Sequence, residues 1–595
     1  MSERKRVPMT GWYNPIMLAR TGIRVAISTV FGEFADRREA MAAANAIAAQ
    51  PFDASFDYSK KAPQGDFWFD FMADTGDGWS STFAMAQLVT QPSWPIGGQD
   101  LPRGQLLVLG GDQIYPTASA EEYDNRFLHP FEEAHDQVVR SHGPGKMPDL
   151  YAVPGNHDWY DGLVAFFNLF CRRCIATPSM VGINRPGKVI AGRQTNQTRS
   201  YFALKLPGGW WLWGTDSQIA GYIDQPQVDF FRFVASTWME PGSKLILCLG
   251  QPNWAYINPA APAKQFETFS FLERLAGIAL AADGTNKGHK LRLVLSGDSH
   301  HYSRYREGDI EYVTCGGGGA FLHPTHQLEN KTFTWRYPPP GVDAGPPDSR
   351  YTRNFTVAND GAAIYPDAKT SRGLTWRNAA FAFKNFGLTA IYCAAYVLYN
   401  WLLDENAAIA GVKSLTTAVG GAGSFWQALG LYIELSFVSP APTLLFLAGM
   451  GGYYYLAGET DRPWTRLAIG ALHGIAQAGA AMLVTCAVLM GVASLFAPSS
   501  LVNVVAIALA SVAAAFASGT VFGLYLIVSL NGFGRHWNEA FSALRIEGHK
   551  CFLRMRIDAK GALHLYPIGL KTVPKGGGTP GTLEPHLIEG PIVLP

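Results

Sequence analysis

Short apolar runs, each closed by a small or acidic residue, recur from Asp66 to about Ala320. Phe67-Trp68-Phe69, Gln105–Leu109, Tyr151-Ala152-Val153, Lys244–Leu249 and Leu291–Leu295 read as buried strands, separated by glycine-rich turns and helical intervals. The alternation predicts an α/β fold. In such folds ligand-binding loops gather at the carboxyl ends of strands.

The pattern changes after a Pro-, Gly- and Asp-rich stretch from Lys331 to Arg377. Charged residues almost vanish until Arg535, and four apolar stretches follow in succession: Phe386–Leu403, Ser439–Leu456, Leu467–Phe496 and Leu501–Leu530. Each is about long enough to cross a ~30 Å hydrocarbon core, which predicts a transmembrane bundle. Arg372, Arg377 and Lys384 precede the first stretch, Arg462 and Arg466 separate the second from the third, and Arg535, Arg545 and Lys550 follow the fourth. This bias predicts a cytoplasmic α/β domain and cytoplasmic termini. His473 and Gln477 lie inside the third stretch, where an ionisable group marks either a functional site or a packed interface. Cys551–Asp558 and Ala562–Tyr566 flank a Lys560-Gly561 turn and predict a β-hairpin. The chain thus divides into an N-terminal segment over residues 1–65, an α/β domain over 66–376, a transmembrane region of about four helices over 377–532, and a small β-rich C-terminal tail over 533–595.

Composition changes this picture little. The 48 basic and 47 acidic residues nearly cancel, which argues against a nucleic-acid partner. Arg20 and Arg24 interrupt the apolar run near the N-terminus, so that run reads as an amphipathic surface segment resting on lipid rather than a cleavable signal. Cys171 and Cys174 have CxxC spacing, compatible with a redox or zinc site or with reduced structural thiols.

The candidate chemistry lies at strand ends. In order these are Asp74-Thr75-Gly76-Asp77-Gly78, Gly110-Gly111-Asp112-Gln113-Ile114-Tyr115, Gly155-Asn156-His157-Asp158 and Gly297-Asp298-Ser299-His300-His301-Tyr302. Carboxylate, amide oxygen and imidazole suit hard or borderline cations such as Mn, Fe or Zn. Two such cations ~3.5–4 Å apart bind phosphoryl oxygens and acidify a water between them. The series of motifs resembles the calcineurin-like metallophosphoesterase superfamily. Tyr115, three residues after Asp112, makes the second motif similar to that of purple acid phosphatases.

The resemblance implies a layered α/β/β/α sandwich and a two-metal phosphoric mono- or diester hydrolase. Its first metal would be held by Asp74, Asp112 and His300, with Tyr115 either a ligand or a packed aromatic. Asp112 would bridge to a second metal also bound by Asn156. His157, oriented by Asp158, would face the substrate and protonate the leaving oxygen or stabilise phosphoryl charge. Two positions depart from the family. Gly250-Gln251-Pro252 stands where a later metal-binding His is usual, and Asp298 replaces the first His of the last motif, though it can still coordinate a hard cation. Gly316–Gly319 reads as a phosphate cradle or a flexible turn. His301, Arg304 and His323 are candidate substrate contacts, and His326 is a further loop histidine. The leading expectation is a membrane-anchored hydrolase whose phosphoester substrate is lipid-linked or soluble. The alternative is a degenerate domain that senses a ligand for its own membrane bundle.

Overall fold

The computed structural model describes residues 4–32, 38, 56–61, 65–173, 186–217, 223–259, 264–277, 287–343, 345–346, 348–459 and 462–595. Cys174, and with it the CxxC spacing, lies outside the described residues. The chain forms two compact units. Unit 1 comprises Met1–Thr10, Arg20–Ser371 and Arg545–Pro595, and unit 2 comprises Gly11–Ala19 and Arg372–Leu544.

Unit 1 is mixed α/β. Strand alternation decides its layering, because successive side chains point to opposite faces. Phe67, Phe69 and Phe71 project to one side of strand Phe67–Met72, joined there by Leu106 and Val108 of the neighbouring strand. That side forms a core with Ile246, Cys248, Leu293, Leu295 and Val313 of a second sheet. Met72, Leu107 and Leu109 face the other way, under helices Trp79–Thr90 and His129–His142. The second sheet's outer face packs under Gln225–Phe233 and Lys264–Gly277. Two sheets therefore share one core, with helices outside each.

In the first sheet, Phe67–Met72, Leu106–Leu109 and Asp149–Ala152 are parallel neighbours. Trp210–Gly214, Lys244–Leu249, Lys290–Ser296 and Ile310–Cys315 form the parallel heart of the second. The C-terminal hairpin is present as Lys550–Ile557 and Leu563–Leu570, and its first strand pairs antiparallel with Phe67–Met72. The tail therefore belongs to the first sheet, within unit 1. Arg554 lies opposite Asp70 in this register and grips its carboxylate at 2.8 and 3.0 Å, with both side chains buried.

Unit 2 is helical. Phe386–Ile409, Pro463–Leu495 and Ser500–Phe533 are each long and apolar enough to cross a bilayer, and they make the chain a membrane protein. The expected second span differs. Phe425–Leu435 and Pro440–Leu456 form a pair bent by 97°, counting as a fourth span only if taken together. The physical reason is Pro440 and Pro442, which cannot continue a preceding helix and start a new one instead. Near the N-terminus, Pro15–Gly32 is helical, with Ile16, Ile23 and Ile27 exposed.

Candidate active site

Three of the aspartates singled out by sequence have left-handed backbones: Asp74 (φ 57°), Asp112 (φ 49°) and Asp298 (φ 66°). Few non-glycine residues adopt this conformation, and it concentrates at functional sites. Each follows a strand of the shared core, so the sharp turn brings its carboxylate back over the strand end. Glycines make room for them. A Cβ at Gly155 would stand 2.0 Å from Asp112 Oδ1, and one at Gly316 would stand 2.2 Å from Asp74 Oδ2.

The side chains converge on the Tyr115 hydroxyl, which lies 2.9 Å from Asp74 Oδ1, 3.2 Å from Asp112 Oδ2 and 2.9 Å from His300 Nε2. His300 Nδ1 is 2.7 Å from the Phe321 carbonyl, an acceptor, so Nδ1 carries the ring proton and Nε2 offers a lone pair. Three acceptors thus surround a hydroxyl that has one proton. Burial also raises the carboxyls: Asp74 lies well above the usual carboxylate range and Asp112 is pushed up to about 7.

These residues fit a cation. Metal–donor bonds of about 2.1 Å place neighbouring donors of an octahedral shell about 3 Å apart, the spacing found around Tyr115. Asp74 Oδ2 and Asn156 Oδ1 are buried and accept no hydrogen bond among the described residues. The Asn156 amide is fixed by its Nδ2 donating to Tyr160 Oη at 3.1 Å. Counting only His, Cys, Asp and Glu, no group of three or more forms a ligand set among the described residues; Tyr115 completes the convergence. The neighbourhood of a second cation is poorer. It keeps Asp112, Asn156 and Asp298, but Gly250 supplies only backbone, its Cα 3.7 Å from where a Cβ on Gly111 would stand.

His157 and Asp158 divide the work differently from expectation. His157 N donates to Asp112 Oδ1 at 2.9 Å, and its Nδ1 lies 2.7 Å from the Pro116 carbonyl. That carbonyl, rather than Asp158, orients the ring. Asp158 instead accepts from Gly155 N at 2.8 Å, from Gln113 N at 3.3 Å and from the Tyr123 hydroxyl, binding two site loops together. Burial pushes His157 down to about 4, so its ring is neutral near pH 7.

Two of the expected substrate contacts, Arg304 and His323, are corrected by their partners. Arg304 donates to Glu589 at 2.9 and 2.7 Å and to Glu311 at 2.9 Å, so its guanidinium is spent on a buried ion-pair network. His323 stacks on His300 at 3.8 Å and accepts from His300 N at 3.1 Å, supporting that imidazole from behind. His301 is buried, and burial pushes it down to about 3; neither ring nitrogen has a hydrogen-bond partner among the described residues. His326 bonds to Ser371 Oγ at 2.8 Å. In the glycine run, Gly316 N and Gly318 N are spent on the carbonyls of His301 and Ala73, so these two amides brace the strand ends.

Sequence reasoning missed Lys550. It is fully buried, donates to the Ala320 carbonyl at 2.5 Å, and is pushed down to about 8 by burial. Its positive charge lies close enough to depress His300, which burial already holds well below the usual imidazole range. Its reversed partner set yields one expectation for Arg304. Arg304→Ala should leave KM for any phosphoester the site turns over within about twofold while lowering the unfolding midpoint, because Glu589 loses its cation and Glu311 keeps only Arg306. A KM rise above tenfold would restore the substrate contact.

No family model and no curated protein matches the chain. Among solved structures it is similar to one titled "GAP50 the anchor in the inner membrane complex of Plasmodium", at 12% identity over 44% of this chain and 74% of that one, with a TM-score of 0.30. A likeness at that score carries no argument about either fold or chemistry.

Proposed function

We propose that unit 1 is a metal-dependent phosphoric ester hydrolase of the calcineurin-like metallophosphoesterase type. The observation that carries this reading is the ring of Asp74, Asp112 and His300 acceptors around the single Tyr115 hydroxyl. Asp74, Asp112, His300 and Tyr115 would hold a first Mn, Fe or Zn ion, and Asn156 with Asp298 would face a second of weaker affinity. When bound, such a metal supplies Lewis-acid activation of water and of phosphoryl oxygen.

The chain's own residues do the rest. Asp112 holds the His157 backbone through its Oδ1, and the Pro116 carbonyl fixes the His157 Nδ1 proton, so Nε2 would take the proton that the attacking water releases as its oxygen bonds to phosphorus, and deliver it to the leaving oxygen as the ester bond breaks. His323 and the Phe321 carbonyl keep His300 in its tautomer and rotamer.

Unit 2 would anchor this hydrolase in the bilayer, with unit 1 on the cytoplasmic side as the flanking arginines suggest. A folded sheet cannot straddle a membrane. A chain that leaves unit 1 after Ser371 and returns by Arg545 therefore crosses an even number of times, which favours the bent pair as a fourth span. A phosphoester on a lipid suits such an anchor.

Purified protein should contain at least one Mn, Fe or Zn ion per chain and hydrolyse p-nitrophenyl phosphate or its diester, with turnover lost on chelation and restored by metal. Metal-free protein that stays inactive after reconstitution would overturn the reading. Gly250 favours a second reading, a degenerate ligand sensor, which predicts bound metal without turnover.

A further inference from the structure

The polar pair His473 and Gln477, which the hydrolase does not use, lies in unit 2 beside a cavity of about 280 Å³. The volume is near the lower end of small-molecule sites. The cavity is bounded by helices Phe386–Ile409, Pro440–Leu456 and Pro463–Leu495, and its walls include Tyr392, Tyr396, Met450, Tyr453 and Met482. Three of the five lining tyrosines turn their hydroxyls to protein partners. Tyr396 bonds Ser518 at 2.6 Å, Tyr399 donates to Ser436 at 2.8 Å and Tyr432 donates to Asn400 at 2.6 Å. At these three positions the rings are what remain for an occupant.

Gln477 is the exception. It lines the cavity and is only 1% exposed, and its Nε2 lies 3.1 Å from His473 Nε2. Its Oε1 accepts no hydrogen bond among the described residues. Gln477 stands about 21 Å along a helix of about 50 Å, at a rise of 1.5 Å per residue, so this acceptor lies deep in the apolar part of the span. No Asp, Glu, Lys or Arg lines the cavity. A buried acceptor in hydrocarbon calls for a donor.

We propose that this cavity binds a neutral membrane lipid carrying a hydroxyl, with the chain against the tyrosine and methionine walls and the hydroxyl donating to Gln477 Oε1. An alcohol on a single chain and a diacylglycerol share that chemistry. A phosphatidylcholine has no donor to offer. The proposal stands whether or not unit 1 hydrolyses phosphoesters.

The test uses the full chain in phosphatidylcholine nanodiscs and a diazirine-bearing hexadecanol, with a diazirine-bearing hexadecane as the hydroxyl-free probe. The alcohol should label peptides from Phe386–Ile409 and Pro463–Leu495 about tenfold more than the alkane does, as expected for one buried hydrogen bond. Competition by unlabelled hexadecanol or by dioleoylglycerol identifies which source binds. Gln477→Leu should reduce alcohol labelling to the alkane level. A side chain at Gly449 meets nothing within 4 Å, so Gly449→Phe should grow into the cavity and abolish labelling without disturbing the fold, checked by an unchanged size-exclusion profile. Equal labelling by both probes, or labelling undiminished in Gly449→Phe, would overturn the proposal.

Discussion

Asp112→Asn is expected to lower phosphoester turnover by about 10²–10³-fold and to reduce bound metal, while the metal-free protein keeps or gains thermal stability. Asparagine is the informative substitution because it tolerates the left-handed backbone that Asp112 adopts, whereas alanine would add strain. It also keeps an oxygen able to accept from His157 N, so the loop need not move. What it removes is the charge. Without metal that charge is a liability: burial pushes the carboxyl up to about 7, and Asp74 lies nearby with its own pKa raised. A group that costs stability in the empty protein and is needed in the loaded one is selected for chemistry rather than for folding. Turnover within a few-fold of the unsubstituted protein, with metal content unchanged, would remove Asp112 from the site.

The second large effect concerns the fold. Arg554→Ala should destabilise unit 1 by about 3–5 kcal/mol, the range for a buried ion pair that loses one partner. Asp70 would be left charged at 1% exposure, and the Leu101 carbonyl would lose the donor that Arg554 Nη1 provides at 2.8 Å. Chemical denaturation followed by tryptophan fluorescence reads this change, since Trp210, Trp211 and Trp213 are all buried in unit 1. Arg554→Met combined with Asp70→Leu should recover much of the loss, because apolar replacement of both partners removes the uncompensated charge. A single-variant loss below about 1 kcal/mol would mean that solvent reaches the pair.

The residues that converge on Tyr115 were legible in the chain because each follows its own apolar strand, and the strand end is where such turns sit. Asp74, Asp112, Asn156 and His300 need only local sequence to be recognised. The misassigned residues are those whose partners lie far away. Arg304 follows the fourth motif closely and suggests a phosphate contact, yet Glu589, 285 residues later, claims it. Lys550 carries no motif, and only the fold brings it to Ala320. The glycines of residues 316–319 announce close approach but not what approaches; Gly316 meets Asp74, Gly317 meets Cys551, Gly318 meets Ala73 and Gly319 meets Thr82, all distant in sequence. The C-terminal hairpin was legible from its turn, whereas its pairing with Phe67–Met72 was not, since register between distant strands leaves little local trace. The bend at Pro440 was readable in the prolines themselves, but the succession of four apolar stretches concealed it.

That last pairing bears on how the protein is made. Phe67–Met72 leaves the ribosome long before its antiparallel neighbour Lys550–Ile557. Every helix of the bundle is synthesised between them. Until Lys550–Ile557 emerges, the first strand presents an open, aromatic edge that invites mispairing, and the lysine beside His300 is missing. Emergence of Lys550–Ile557 is thus the event that closes the sheet, and a message truncated anywhere within the bundle would yield a product with an unclosed sheet.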